Sequence, residues 1–324
     1  PVVLVLNAKS TAYTVAPVLY GFKHFYPGIR VVGVVFNFVA SVAHYAYLQQ
    51  ACADAGVEAL GYIPKDESIV IPSRHLGLSI DETFCFDTFA DRVAEVIDKT
   101  VNVDRLLELC TVEFSGEQTQ DVVCFGNRKI AIARDEAFNF MYRENVEALK
   151  RAGEVVFFSP LRDKSLPEAD MVYFPGGYPE LHLAELAANE GMRQSVRKYC
   201  ENGGRVLAEC GGMMYLCDTI TDGDGKVYPM AGVLKQGATM EQMKLKLGYR
   251  EVRVNGQRIR GHEFHYSRIL PTNEKIPVIG TIYNAKDMVV DTPVYTYKNV
   301  LASYIHFYWG ECGIDHFLML MSQK

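Results

Sequence analysis

The chain has 324 residues, enough for two domains, and its 49% hydrophobic and 22% charged side chains are typical of a soluble protein. Its formal net charge of -6 and its scattered basic residues argue against binding to nucleic acid or to an anionic membrane. No apolar run reaches the roughly 18 residues of a membrane span, and no signal peptide is visible. The eight cysteines show no zinc-binding spacing, so we predict reduced thiols and a cytoplasmic protein.

The first part of the chain alternates strands with helices. We predict strands at 2–6, 31–39 and 58–64, and helices at 13–25 and 42–55. Continuous apolar runs such as VVGVVFNFV are typical of parallel strands that helices cover on both faces. Because the chain begins with PVVLVLNAKS, a strand without Met or a preceding helix, we expect a truncated chain whose first domain continues upstream.

The pattern changes after the third strand. A loop covers 65–80, a helical stretch runs from 87 to 110, and residues 111–127 are polar in their centre and aperiodic. We therefore predict a first domain at 1–112, a linker at 113–127 and a second domain at 128–324.

A second series of strands and helices follows the linker. We predict strands at 129–134, 154–159, 171–177 and 205–210, and helices at 142–152, at 181–201 and from 212. This alternation predicts another parallel sheet flanked by helices, and therefore an α/β fold with two domains. Asn255 and Gly256, between alternating residues, predict an antiparallel hairpin before the last strand, NVLASYIHFYW.

Cys210 lies in GGRVLAECGGMMYL, where a strand meets a helix. The two glycines that follow it allow a sharp turn, which lifts the sulfur out of the sheet toward backbone N–H groups, as at a nucleophile elbow. An isolated cysteine is more often a buried structural thiol, but this order of elements favours a nucleophile.

A thiol nucleophile needs a base, and His306 lies near the end of the last apolar strand, at the edge where an α/β domain gathers its active site. A histidine beside aromatic residues is also a common core group. The other candidates are His182, His262 and His265.

The stretch YFPGGYPELH ends a strand with two glycines before a helix, which frees backbone N–H groups to face an anion. We predict that Gly177, Tyr178 and Gly211 are oxyanion-hole donors. A Pro-Gly turn without a catalytic role is the simpler alternative.

Four stretches, PGGYPELH, AECGGMMYL, RGHEFHYS and NVLASYIHFYW, closely resemble the cobyrinic acid a,c-diamide synthase family in order and separation. The resemblance covers nearly the whole chain. It implies a C-terminal class I glutaminase domain of flavodoxin-like fold, which passes ammonia to a partial P-loop-type ATPase domain that resembles dethiobiotin synthetase. There a corrinoid carboxylate, activated as an acyl phosphate, would become an amide.

By this resemblance, Cys210 matches the nucleophile that forms a γ-glutamyl thioester, and His306 matches the histidine that activates it and later activates water. Class I glutaminases commonly carry Glu two residues after this histidine, where this chain has Tyr308. The family departs from the triad in the same way, so we predict a Cys-His dyad, with Glu311 as a further candidate.

Other matched positions have less defined roles. Asn37, which closes GVVFN, matches the position at which this type of ATPase contacts adenine, although it could simply end a strand. The family motif RGHEFHYS supplies three polar residues for which a structural, inter-domain or substrate role is open: His262, Glu263 and His265.

The sequence contains no G-x-x-x-x-G-K-[ST] motif. The resemblance implies that the phosphate loop and the acidic magnesium ligands lie upstream, and that this chain holds no metal by itself. The implied cofactors, ATP and Mg²⁺, therefore belong to the full-length enzyme, and we expect this chain to cleave glutamine without completing the amidation. The implied partners are glutamine and a corrinoid of the cobyrinic acid type; a homodimer is left open.

Three alternatives remain. The same chemistry could act on another acceptor, as in cobyric acid synthase or nickel-sirohydrochlorin a,c-diamide synthase, although PGGYPELH favours the a,c-diamide type. A small cysteine hydrolase or DJ-1-like protein has the same sheet topology, but the N-terminal half-domain argues against it. A non-catalytic binding module is disfavoured because the chain has both Cys210 and His306.

Overall fold

The computed structural model describes residues 1–71, 84–113, 128–272 and 275–310, together with the backbone of 73–74 and 77–78. The chain divides into two compact units, Pro1–Gln118 and Thr119–Lys324, and each is described by itself. The predicted linker lies, except for Glu113, outside the described residues, so its bounds stay a prediction. Within the described ranges, no helix is long and apolar enough to cross a membrane.

The first unit is built on a parallel sheet of three strands in the order β1-β2-β3. Its strands are β1 (Val2–Asn7), β2 (Val31–Val39), β3 (Glu58–Pro64) and the short pair β4 (Ser73–Arg74) and β5 (Gly77–Leu78). Its helices are α1 (Ala16–His24), α2 (Val42–Ala55), α3 (Phe86–Thr100) and α4 (Val103–Cys110). The central strand β2 buries Val34 and Phe36 in one core with Leu19 of α1 and Leu48 of α2, as its continuous apolar run predicts.

The helical stretch predicted up to residue 110 forms two helices, α3 and α4, instead of one. At the break, the side chain of Asn102 accepts a hydrogen bond from the backbone N–H of Arg105 at 3.0 Å, so Asn102 caps the second helix. The apolar periodicity continues across this cap, which is why periodicity alone predicts one element.

The second unit is centred on a sheet of six strands in the order β17-β18-β9-β8-β6-β7, in which the edge strand β17 pairs antiparallel and the others pair parallel. These strands are β6 (Arg128–Ala133), β7 (Gly153–Phe158), β8 (Met171–Phe174), β9 (Arg205–Glu209), β17 (Val294–Tyr297) and β18 (Val300–Ser303). The helices are α5 (Arg143–Ala152), α6 (Leu183–Ala188), α7 (Glu190–Glu201) and α8 (Gly211–Leu216).

Two smaller sheets complete the second unit. One contains β11 (Val227–Pro229), β10 (Cys217–Thr221), β12 (Leu234–Thr239) and β15 (Arg268–Ile269), in that order. The other is antiparallel and contains β16 (Thr281–Asn284), β13 (Lys246–Val254), β14 (Gln257–His265) and β19 (Ile305–Phe307). The predicted hairpin joins β13 to β14, and Asn255 and Gly256 both have positive φ, as its tight turn requires.

The antiparallel sheet changes how the central sheet is covered. Val172 and Val206 pack into the core that contains α6 and α7, whereas Tyr173 and Leu207 point to the other face. On that face the core also contains residues of β13, β14 and β16, namely Val252, Ile259 and Ile282. Helices flank the second sheet as predicted, and part of one face is in addition covered by strands of the antiparallel sheet.

Two predicted elements of the second unit are each divided. The helix predicted at 181–201 becomes α6 and α7, because the side chain of Asn189 caps α7 and donates to the carbonyls of Pro160 and Asp163, both at 2.8 Å. The last predicted strand becomes β18, paired with β9 in the central sheet, and β19, paired with β14 in the antiparallel sheet. Tyr304 lies between them, so the chain changes sheets there.

Asn145 of α5 anchors the segment that contains β19. Its side chain is fully buried, donates to the carbonyl of Phe307 at 2.7 Å and accepts from the backbone N–H of Trp309 at 2.9 Å. These two hydrogen bonds to buried backbone groups fix the position of the segment relative to α5.

Asn145→Ala removes both hydrogen bonds, and we expect it to lower the free energy of unfolding of the second unit by about 2–4 kcal/mol. Urea denaturation followed by circular dichroism measures the change. Asn139→Ala is the matched control, because Asn139 is exposed and should change stability by less than about 0.5 kcal/mol. Equal stabilities for the two variants would contradict the anchoring role.

Candidate active site

Cys210 lies at a strained turn between β9 and α8. Its φ of 46° and ψ of -107° lie outside the regions that residues with a side chain usually adopt. The turn is held on the N-terminal side by a hydrogen bond from the Cys210 N–H to the carbonyl of Ser303 at 2.7 Å. The strand, the strained turn and the helix that follows have the layout of a nucleophile elbow. The nucleophilic role of Cys210 stays a prediction.

The two glycines after Cys210 are required by close packing. A Cβ on Gly212 would overlap the carbonyl of Phe174 at the end of β8, and a Cβ on Gly211 would lie 2.7 Å from Cδ of Pro179. Side chains at either position would push α8 away from the loop after β8. The Gly-Gly pair therefore lets the turn and this loop touch.

The loop after β8 contains two of the predicted oxyanion donors. One lies beside the turn, whereas the N–H of the other already donates to a backbone carbonyl. The nitrogen of Gly177 lies 3.2 Å from the position a Cβ on Gly211 would occupy, so these two residues are neighbours. The N–H of Tyr178 instead donates to the carbonyl of Ala137 at 2.9 Å. In this conformation the N–H of Tyr178 is occupied by that bond, so Gly177 and Gly211 are left as the predicted oxyanion-hole donors.

His306 is nearly buried, with 4% of its surface exposed, in a pocket of rings. Its imidazole stacks on that of His262, with centroids 4.8 Å apart and an interplanar angle of 16°. The ring of Phe140 meets it edge-on at 4.6 Å. A Cβ on Gly176 would overlap Cε1 of His306, so the loop after β8 also forms one wall of this pocket.

Cys210 and His306 both border strand β14. The Sγ of Cys210 lies 4.0 Å from the carbonyl oxygen of Phe264, and His306 is the cross-strand partner of His262, two residues earlier on β14. Across the described part of the chain, no hydrogen bond joins Sγ to His306 in this conformation. The strand therefore brings the two groups to one region, without a preformed contact.

Burial dominates the electrostatics of the site. It raises the pKa of the Cys210 thiol, and the charge of the Glu180 carboxyl raises it further. Burial, with smaller contributions from the neighbouring His262 and His265, lowers the pKa of His306 to about 3. Burial raises the pKa of Glu180 to about 7. At neutral pH the thiol and the imidazole are therefore both uncharged.

Glu209 links the turn at Cys210 to the strand that carries His306. Its side-chain carboxyl group accepts from the backbone N–H of Phe307 at 3.2 Å and from the hydroxyl of Tyr173 at 2.8 Å. Burial raises the pKa of this carboxyl to about 8. Because Phe307 directly follows His306, one side chain fixes the distance between the two segments.

The remaining predicted residues have varied positions. His182 lies near the surface, with Nδ1 4.0 Å from the carboxylate of Glu185. Asn37 lies on β2 of the first unit, where its side chain accepts from the N–H of Phe38 at 2.9 Å. Glu311 lies outside the described residues.

Sequence reasoning missed three residues around the candidate pair: Glu209, Phe140 and Tyr142. Glu209 lies in the stretch that contains Cys210, and a charged residue inside a buried strand is unusual enough to indicate a buried hydrogen-bond partner. Phe140 and Tyr142 lie in the aromatic run FNFMY of the loop after β6, which no periodicity assigns to a site.

Comparison with known proteins identifies the family. Residues 129–312 match the model of the CobB/CobQ-like glutamine amidotransferase domain. Cobyrinate a,c-diamide synthase of Salmonella typhimurium is 34% identical over 326 residues, covering 96% of this chain and 71% of that protein. Hydrogenobyrinate a,c-diamide synthase of Pseudomonas aeruginosa is 36% identical over 310 residues, covering 95% and 70%.

A crystal structure of a glutamine amidotransferase is 24% identical, with a TM-score of 0.42, and covers 60% of this chain and 99% of that one. The two synthases are each more than 30% identical and are matched over more than two thirds of their length. The chain therefore belongs to the cobyrinate and hydrogenobyrinate a,c-diamide synthase family and contains its glutamine amidotransferase domain.

Proposed function

We propose that the second unit hydrolyses glutamine, with Cys210 as the nucleophile and His306 as the base. The ammonia then amidates the a and c carboxylates of cobyrinate or hydrogenobyrinate in cobalamin biosynthesis. The observation that carries the proposal is the strained turn at Cys210, which faces the strand bearing the partner of His306. The acceptor is supported by the names of the relatives.

In the acylation step, Sγ of Cys210 attacks the carboxamide carbon of glutamine while its proton passes to His306. The histidine returns this proton to the leaving nitrogen, the C–N bond breaks and ammonia departs, leaving a γ-glutamyl thioester. In the second step His306 takes a proton from water and the resulting hydroxide attacks the thioester. The C–S bond then breaks, glutamate is released, and His306 returns the proton to the Cys210 sulfur to restore the thiol.

The oxyanion of each tetrahedral intermediate needs donors beside the nucleophile. The neighbouring N–H groups of Gly177 and Gly211 can supply them, because the described backbone hydrogen bonds of this loop use neither. The resting pair is uncharged, so proton transfer from Cys210 to His306 would accompany the attack instead of preceding it.

The ATP-dependent half is proposed on the resemblance of the first unit to dethiobiotin-synthetase-like ATPases, with domains at 1–112 and 128–324 and with Asn37 facing the adenine. The described residues do not by themselves fit the cofactors: none of their His, Cys, Asp or Glu side chains form a group of three that could hold a metal. The side chain of Asn37 is turned toward the backbone. We therefore derive no step through ATP or Mg²⁺.

Cys210→Ala should reduce glutamine hydrolysis at least about a thousandfold, and His306→Ala by about a hundredfold or more, because each removes a group that moves a proton or forms the thioester. Glutamate release, measured with glutamate dehydrogenase, tests this. Cys200→Ala is the control, since Cys200 is a buried thiol on α7. Activity retained in Cys210→Ala would refute the assignment.

Labelling distinguishes a nucleophile activated by glutamine from a generally reactive thiol. Iodoacetamide should label exposed Cys85, whose pKa is lowered by a hydrogen bond from Thr88, faster than Cys210, whose pKa burial raises. A chloroketone analogue of glutamine should reverse the order and label Cys210 before the other seven cysteines. Peptide mass spectrometry reads both; analogue labelling elsewhere would contradict the proposed site.

The acceptor is tested with the full-length enzyme that the resemblance implies, supplied with glutamine, ATP, Mg²⁺ and one of three tetrapyrroles: cobyrinate, hydrogenobyrinate or nickel-sirohydrochlorin. Product mass spectrometry should show two carboxylates converted to amides in cobyrinate or hydrogenobyrinate and none in nickel-sirohydrochlorin. Amidation of nickel-sirohydrochlorin alone would contradict the proposed acceptor while leaving the glutaminase assignment intact.

A further inference from the structure

His306 lacks the carboxylate that orients the catalytic histidine of a triad. Its Nδ1 is buried and has no hydrogen-bond partner in the described ranges of the chain. Tyr308 occupies the position two residues later, where a carboxylate is expected. A buried ring without a hydrogen bond must be held by packing alone, so the rings in contact with it decide its orientation.

The ring of His306 stacks in parallel on that of His262. The two histidines are directly opposite each other on β14 and β19, so their side chains lie on the same face of the sheet. Burial lowers the pKa of His262, which keeps the stack free of charge repulsion at neutral pH. Phe140 closes the edge of the same pocket.

His262 is itself fixed by a hydrogen bond. The hydroxyl of Tyr142 lies 2.6 Å from its Nδ1. The ring of Tyr142 in turn meets that of Tyr308 edge-on at 5.5 Å, so the residue at the carboxylate position belongs to the same cluster. The ring of His262 therefore has one defined orientation, which it passes to His306 through the stack.

The opposite face of β14 holds the strand in place. Fully buried Glu263 accepts from Arg250 at 2.7 Å and from Thr292 and His265 at 2.8 Å each. Burial works to raise the pKa of Glu263, but the hydrogen bond from His265 and the charge of Lys246 help lower it to about 2, so it is an anion.

His265 connects this anion to the point where the chain changes sheets. Its Nδ1 lies 2.7 Å from the carbonyl oxygen of Ser267 and its Nε2 lies 2.8 Å from the Glu263 carboxylate, so both ring nitrogens have a polar partner. The imidazole ring stacks on Tyr304, with centroids 3.6 Å apart and an interplanar angle of 4°. The backbone just before His306 is thereby fixed.

We propose that His262 is a positioning residue for His306: its stacked ring, anchored by Tyr142, does the orienting work that a carboxylate does in a triad. This inference rests on the proposed glutaminase function. It assigns a role to His262, the first residue of the HEFH motif at 262–265. The other two polar residues of this motif, Glu263 and His265, fix β14 and the point at Tyr304 where the chain changes sheets.

Four variants of the chain test the proposal. His262→Ala removes the stack, His262→Phe keeps a ring without the anchor, and Tyr142→Phe removes only the hydroxyl. Tyr249→Ala is the control, because Tyr249 is the exposed neighbour of His262 on β13 and does not stack on His306. Circular dichroism first establishes that each is folded, and glutamine hydrolysis then gives kcat and KM.

We expect His262→Ala to lower kcat about thirtyfold or more with KM within about twofold, since a misoriented base affects the chemical step. His262→Phe should recover kcat to within about fivefold of the parent, Tyr142→Phe should lower it about threefold, and Tyr249→Ala should leave it unchanged. Unchanged kcat in folded His262→Ala would overturn the proposal. So would a His262→Phe variant as slow as His262→Ala, or a change in KM alone.

A second measurement does not depend on turnover. In protein labelled with ¹⁵N-histidine, the ring resonances of His306, assigned by their loss in His306→Asn, should shift in His262→Ala and in Tyr142→Phe but not in Tyr249→Ala. Unshifted resonances would overturn the positioning role even if the chain did not hydrolyse glutamine. An inactive parent with shifted resonances would instead overturn the proposed function alone.

Discussion

The site depends on the pairing of β18 with β9 and on what the chain does where that pairing stops. Ser303 is the cross-strand partner of Glu209, and its carbonyl accepts from the N–H of Cys210. One residue later the chain leaves the central sheet. Because both strands end at this point, the turn at Cys210 and the strand that carries His306 begin from adjacent backbone positions, and a hydrogen bond to the Glu209 side chain connects them.

Burial then sets the chemistry that this backbone can support. In a buried pocket neither an isolated thiolate nor an isolated imidazolium is stable, so Cys210 and His306 are both uncharged in the free protein. Such a pair differs from the ion pairs of highly reactive cysteine enzymes. The charge would appear only when glutamine supplies the electrophile and the loop N–H groups face the oxyanion, which restricts reaction to the bound substrate.

The HEFH motif shows how the two-residue period of a strand can serve two purposes. His262 points to the face that carries His306, whereas Glu263 and His265 point to the interior and bond each other. Alternate residues of one short segment can therefore orient a catalytic ring and anchor its strand. A shift of register by one residue would exchange these roles, so the buried ion pair between Arg250 and Glu263 also opposes such a shift.

The sequence by itself determined the family, the alternating α/β organisation, the hairpin at Asn255 and the tight turn at Cys210, because these are encoded by local patterns: apolar runs, turn residues and contiguous motifs. It also selected His306 as the candidate base. Only the tertiary structure decided that His306 belongs to a different sheet from β9, that Tyr178 is engaged by Ala137, and that Glu209, Phe140 and Tyr142 surround the pair. These contacts join residues far apart in the chain, and no local periodicity records which buried groups will meet.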